Sequence, residues 1–170
     1  MMMKDDLISF YAFNWWATAL VLKAIRPLSA EQYAQEPAPG WSSVRDTVIH
    51  VAGATQIWLN RLHGTNPTRR LSAEDLPTFD DAVRVFEQAH DGFDQFLAGL
   101  SAEQLQEVVA YRNIQGDPFQ LPLWVLLRHV VNHATYHRGQ IASKLKLLGF
   151  PCPDTDLVFW ALEQGQGEKS

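Results

Sequence analysis

The sequence predicts an all-α fold, a four-helix bundle with a small β-hairpin or irregular insertion before its last long helix. Four long segments carry apolar residues at helical spacing, and each is bounded by residues that start and stop helices. The strand-like runs are short and flank a single turn signal, Gln115-Gly116-Asp117. A chain of 170 residues fits one domain, 1–170, and can bury a core without disulfide staples.

The first helix is expected from Lys4 to Arg26, stopped by Pro27, because proline disfavours helical geometry in the residue before it. A polar connector from Ser29 to Gly40 holds a short helical turn opened by Ser29, with Glu31 and Gln32 behind it. The second long helix begins at Ser42 or Ser43, with Asp46 as capping partner, and ends at Gly64. His63, in its last turn, reads as complementing the carbonyl end of the helix dipole. After a loop from Thr65 to Pro77, the third helix runs from Asp80 to Leu97, with Val83, Phe86, His90, Phe93 and Leu97 on one stripe. Ser101 with Gln104 starts another turn, and Val108–Arg112 pairs with Phe119–Leu121 in the hairpin. The fourth long helix opens at Pro122 and ends at Leu148, before Gly149; a helical tail covers Asp154 to Leu162.

Composition excludes several classes of function. The net charge is −5 and the pI about 5.6, and no basic cluster exceeds Arg69-Arg70, so no nucleic-acid partner is expected. The single cysteine, Cys152, cannot close an intrachain bridge; it suits a reducing, cytoplasmic setting and reads as a structural thiol between two prolines. No charge interrupts Leu7 to Leu22, yet this run is shorter than the roughly 20 apolar residues of a membrane span. It also contains Ser9, Asn14 and Thr18 and follows Asp5-Asp6, so neither a span nor a signal peptide is expected. A helix this apolar all round needs cover on most sides, which points to a homodimer.

The chemistry concentrates in His129-Val-Val-Asn-His133-Ala-Thr-Tyr-His137-Arg-Gly-Gln140. At about 100° per residue, His133 and His137 fall near the stripe of Leu126, Val130, Ile141, Lys144 and Leu145, so the pair points inward. Side chains one turn apart can converge on one ion, whereas His129 and His137 are separated by about 12 Å along the axis. The helix therefore offers His129 with His133 or His133 with His137, and the second pair lies nearer the stripe centre. Such spacing also suits histidines bonded to backbone or solvent, so the motif alone leaves both readings open. Position 134 is Ala, which excludes the protease pattern with a glutamate beside the first histidine. A third ligand has to come from another helix; His90 and His50 compete, and periodicity slightly prefers His90.

These residues carry a resemblance. Asn14-Trp15, Ser43-Val-Arg-Asp-Thr-Val-Ile-His50 with Trp58-Leu59, the long motif from His129 to Gln140, Leu148-Gly149 and Asp156 together resemble the DinB family, or DinB/YfiT-like superfamily, of small metalloenzymes. The resemblance spans nearly the whole chain and implies a bundle, often dimeric, with a three-histidine metal site at one end. By position it implies His50, His133 and His137 as ligands and leaves His90 as a core or pocket residue. Gly40-Trp41-Ser42-Ser43 departs from the usual family pattern where the second helix opens, which bears on pocket shape.

Three neutral histidines would leave coordination positions open, as reactive sites do. The ion is expected to be divalent, zinc or nickel foremost, with iron or another transition metal open, since imidazole suits all of them. Several family members with assigned functions use a low-molecular-weight thiol, so a thiol-dependent transferase acting on a small molecule is expected ahead of a hydrolase. The reading from a different class is a non-catalytic metal- or ligand-binding stress-response protein. Around the site, Gln140 is placed to fix an imidazole, Arg138 is expected in a structural ion pair, and Asn14 must find a partner in the core or the pocket. Trp15, Trp16, Trp41, Trp58 and Trp124 are read first as core residues and second as cavity lining.

Overall fold

Three helix starts in the computed structural model, which describes residues 4–167, are set by side chains that satisfy free amides of the first turn. α1 covers Lys4–Ile25 and stops before Pro27. Ser29 and Gln32 form a capping box for the short α2, Ala30–Ala34. α3, Val44–Leu62, opens on a second such box: the Ser43 hydroxyl accepts the Asp46 amide at 3.0 Å, and the Asp46 carboxylate accepts the Ser43 amide at 3.3 Å. Thr78 and Asp81 do the same for α4, Phe79–Gly99.

A 3-10 turn at Gln104–Gln106 leads into the antiparallel hairpin of β1, Val108–Arg112, and β2, Pro118–Pro122. Asn113 closes its loop, its side-chain oxygen accepting the amides of Gln115 and Asp117 at 2.9 Å each. Gly116 takes φ 92°, a left-handed value that a side chain would strain. α5, Leu123–Leu147, and α6, Leu157–Glu163, complete the chain. Each element falls within a few residues of its expected place.

The bundle is a ring in which α3 packs on α4 and α5, while α1 packs on α5 and α4. Its core has two large clusters, beside a small one of Phe13, Ala17 and Trp160. One gathers Val21, Ile25, Val44, Val48, Phe86, Ile141 and Leu145; the other gathers Leu7, Tyr11, Phe93, Leu105, Leu123, Leu127 and Val131. The buried Tyr11 hydroxyl donates to the Leu127 carbonyl at 3.0 Å, tying α1 to α5.

α1 is long and apolar enough by composition to cross a bilayer, but here it is a core helix, with Leu7, Tyr11, Ala17, Val21 and Ile25 buried in the bundle. Part of its outer face is covered by α6: Trp160 meets Phe13 edge-on at 6.2 Å, and the Trp16 indole N–H donates to Glu163 at 2.8 Å. The same chain thus supplies some of the cover that an apolar first helix demands.

Asn14 finds its partner in the core. Arg138, 4% exposed, donates to Asn14 Oδ1 at 2.6 Å, to Thr135 Oγ1 at 2.7 Å and to Thr18 Oγ1 at 3.4 Å. The expected ion pair is corrected to a set of neutral acceptors, because Arg138 sits about 100° around α5 from His137 and faces the amide and hydroxyl of α1. Burial pushes its pKa down to about 10, which leaves it a cation at neutral pH. Asn14→Leu removes the shortest of these bonds and is expected to cost about 1.5–3 kcal/mol, the worth of a hydrogen bond to a charged group. Denaturant titration checks this as a lower midpoint at unchanged slope.

Candidate metal centre

Two helices bring three imidazoles to one point. The capping box at Ser43 fixes where α3 starts and so which way His50 faces, two turns on. On α5 the buried residues Leu126, Val130, Ile141 and Leu145 seat one face in the core and carry His133 and His137 with them, midway along the helix. Lys144 sets the register between the two helices. Its ammonium, on a residue 3% exposed, donates to Ser42 Oγ at 2.8 Å, to the Ser43 carbonyl at 3.3 Å and to the Thr47 hydroxyl.

The result is a nearly equilateral triangle of nitrogens. His50 Nε2 lies 3.2 Å from His133 Nε2 and 3.1 Å from His137 Nε2, and the last two are 3.1 Å apart. The ring centroids are 4.4–5.1 Å apart, with planes inclined by 56–69°, so the rings fan outward from a common centre. Mutual hydrogen bonding does not account for the triangle, because an imidazole N–H points in one direction in its ring plane and can serve one acceptor well. An ion about 2.1 Å from each nitrogen would see these separations at angles of about 95–100°, between the octahedral and tetrahedral values. The donor set therefore fits a divalent transition metal. Among the described residues these three histidines are the one group of histidine, cysteine and carboxylate side chains close enough to share an ion.

The triangle is also prepared electrostatically. His137 Nδ1 lies 2.7 Å from Gln140 Oε1, so its proton sits on Nδ1 and Nε2 presents a lone pair to the centre. Burial, then the neighbouring His137 and His50, pushes His133 down to about 4. Burial, then His137, also lowers His50. Both rings are thus held neutral near pH 7, the form in which imidazole binds metal.

The other histidines stand apart. His129 packs edge-on against Trp58 at 5.0 Å and touches the side of His133 at 5.7 Å, a flanking position. His90, which periodicity preferred, lies elsewhere: its Nε2 is 3.1 Å from Asp94 and its ring 4.8 Å from Trp15. Periodicity misleads there because α4 carries His90 on the edge of the stripe that faces α1. His63, at the end of α3, packs edge-on against Phe96.

A cavity of about 420 Å³ opens beside the triangle, with His50 and His133 in its wall. α3 supplies Ile49, Gly53, Ala54, Ile57, Trp58 and Arg61, while the loop before α4 and the hairpin loop close the far side. Gly53 allows this closure: a Cβ there would stand 3.3 Å from that of Leu71, tighter than most packed contacts. Arg69 and Asp75 hold the loop in shape through two bonds of 2.6 and 2.7 Å, and Asp75 also accepts the Ser72 amide at 2.9 Å. Of the tryptophans considered, Trp58 lines this cavity; Trp15 is buried, Trp124 packs on the core and Trp41 is exposed. The three histidines thus sit midway along α5 and two turns into α3.

Sequence reasoning missed Arg61 and treated Arg70 as part of a surface pair, yet both line the cavity. Arg61 was findable: eleven residues, about three turns, separate it from His50, which returns it to the same face of α3. Arg70, Asn113 and Gln115 come from loops, whose approach to a helix no periodicity announces.

Known proteins share this architecture. The sequence profile of the DinB family matches residues 2–168. Protein DinB of Bacillus subtilis (strain 168) is 29% identical over 160 residues, 91% of this chain and 92% of that protein. A DinB-like protein from Bacillus cereus ATCC 10987 superposes with a TM-score of 0.63 at 19% identity, over 90% of this chain and 99% of that one. YfiT from Bacillus subtilis, described as a probable metal-dependent hydrolase with an unusual four-helix bundle topology, gives 0.65 at 16% identity, over 88% and 91%. With its bundle, its converging histidines and a family match over almost its whole length, this chain is a member of the DinB family.

Proposed function

We propose that His50, His133 and His137 hold a divalent metal ion and that the protein is a metal-dependent enzyme acting on a small molecule. One observation carries the reading: three imidazole nitrogens converge beside a cavity that has His50 and His133 in its wall, with no fourth histidine, cysteine or carboxylate in their group among the described residues. Bound there, the ion would supply an acidified thiol or water as a nucleophile near neutral pH.

The chain's own groups have separate tasks. Gln140 holds the His137 tautomer, and the buried flank of α5 keeps His133 from taking a proton. Ile49, Ala54, Ile57 and Trp58 give the cavity an apolar lining that displaces water from the centre. A low-molecular-weight thiol is the preferred nucleophile, making the protein a thiol-dependent transferase. Water is the second reading, favoured by the description of YfiT as a metal-dependent hydrolase.

Elemental analysis of the purified protein tests the ligands. Wild type and His90→Ala are expected to carry about one ion per chain, and His50→Ala to lose it; the reverse pattern would refute the assignment. Gln140→Leu is expected to weaken metal binding about 10–100-fold while leaving the fold intact. Turnover of an electrophilic test substrate with several cellular thiols, metal by metal, separates transfer from hydrolysis.

Acid sensitivity follows for the metal-stripped protein. His133 has a folded pKa of about 4 and an unfolded value near 6.5, so between these values the unfolded chain binds more protons. The stability that neutral His133 contributes is therefore full above about pH 6.5 and is lost as pH falls toward 4. Melting temperatures across this window check it, and His133→Ala is expected to flatten the dependence.

A further inference from the structure

Two guanidinium groups in the cavity wall have no carboxylate partner among the described residues. Arg61 is 8% exposed, and its Nε–H is buried with no acceptor among the described residues. It packs against a pair of rings that meet edge to face at 5.2 Å, 4.6 Å from the centre of Trp58 and 5.1 Å from that of Tyr111. Such stacking favours the charge but leaves the in-plane N–H groups without acceptors. A buried cation held this way is costly unless an anion completes it.

Arg70 comes from the loop on the opposite wall. Its neighbour Arg69 is taken up by Asp75, whereas Arg70 forms no ion pair among the described residues, and its charge acts on His50 and His133. The cavity's one carboxylate, Asp46, is committed to the Ser43 amide at 3.3 Å and lies 3.7 Å from Arg45. Nothing acidic among the lining residues is thus free to answer either arginine. In a chain of net charge −5 this is a local reversal of sign, set beside the three histidines.

We propose that Arg61 and Arg70 form a subsite for the oxyanion of a small substrate, a carboxylate or a phosphate, whose other end reaches the three-histidine centre. The inference rests on the function proposed above and narrows it: the substrate or co-substrate is an anionic small molecule sized for about 420 Å³. The planar fork of arginine suits either oxyanion. Packing against Trp58 and Tyr111 restricts the Arg61 side chain before the ligand arrives, which lowers the ordering cost of binding.

Nitrogen-15 NMR of the full-length protein as purified reads the subsite directly, through the Arg61 Nε–H resonance. Titration with succinate and, separately, with inorganic phosphate is expected to move that resonance saturably with at least one of them. The one that binds tighter identifies the oxyanion. Arg70→Gln, at an exposed position that does not threaten folding, is expected to weaken the binding about tenfold. No saturable shift with either anion, or unchanged affinity in Arg70→Gln, would overturn the subsite. A second arm uses cobalt-loaded protein and the thiolate charge-transfer band, comparing mercaptoacetate with mercaptoethanol. The charged thiol is expected to bind about tenfold tighter in wild type and to lose that preference in Arg70→Gln. Equal affinities in wild type would show that the anion site does not reach the centre. No band with either thiol would refute thiol use alone, because the NMR titration decides the subsite without it.

Discussion

Three nitrogens carried on two helices meet only when α5 is held at one height and one rotation against α3. A slip of one residue would move a histidine by about 1.5 Å along the axis and about 100° around it, which ends the convergence. Several ordinary devices remove that freedom. The Ser43–Asp46 box fixes the start of α3, Lys144 ties α5 to the same turn, and Tyr11 anchors α5 to α1 through the Leu127 carbonyl. Arg138, on the far side of α5, bonds to Asn14 and Thr18 and opposes rotation. The triangle of Nε2 atoms at 3.1–3.2 Å is the sum of these constraints.

These polar anchors share a feature. Arg138 and Lys144 are buried cations answered by hydroxyls, amides and carbonyls, not by carboxylates. Neutral acceptors hold a cation in one geometry without placing an acid near the histidines, where it would raise their proton affinity and compete for metal. Arg138 also leaves its Nε–H without an acceptor, but its two terminal nitrogens are bonded, whereas Arg61 packs on aromatic rings in the cavity wall and its own Nε–H is buried without an acceptor among the described residues. Within one helical frame, then, some cations position the histidines and another waits on the cavity wall for an anion.

Much of this was legible in the sequence, for reasons that can be named. Capping residues at Ser29 and Ser43, proline at 27 and glycine at 149 fix helix ends through local hydrogen bonds and backbone limits, and local rules find them. Helical spacing turned His133 and His137 inward, and their axial rise correctly kept His129 out of their group. Periodicity could not choose between His50 and His90, because both flank apolar stripes and only interhelical packing decides which stripe faces α5. Family resemblance supplied His50. The Arg138 partners went unseen since its turn away from His137 suggested an ion pair and periodicity does not say which groups of α1 it meets, and the cavity wall went unseen since residues 65–77 and 113–117 are placed by contacts, not by period.

The account stands or falls on whether the three imidazoles bind one ion and leave room on it. X-ray absorption at the metal edge of the protein as purified measures this most directly. The prediction is three imidazole nitrogens at about 2.0–2.1 Å, with the remaining positions filled by light atoms that exchange when a thiol or anion is added. Two imidazoles per ion, or a shell closed by protein ligands and unchanged by added ligand, would contradict it.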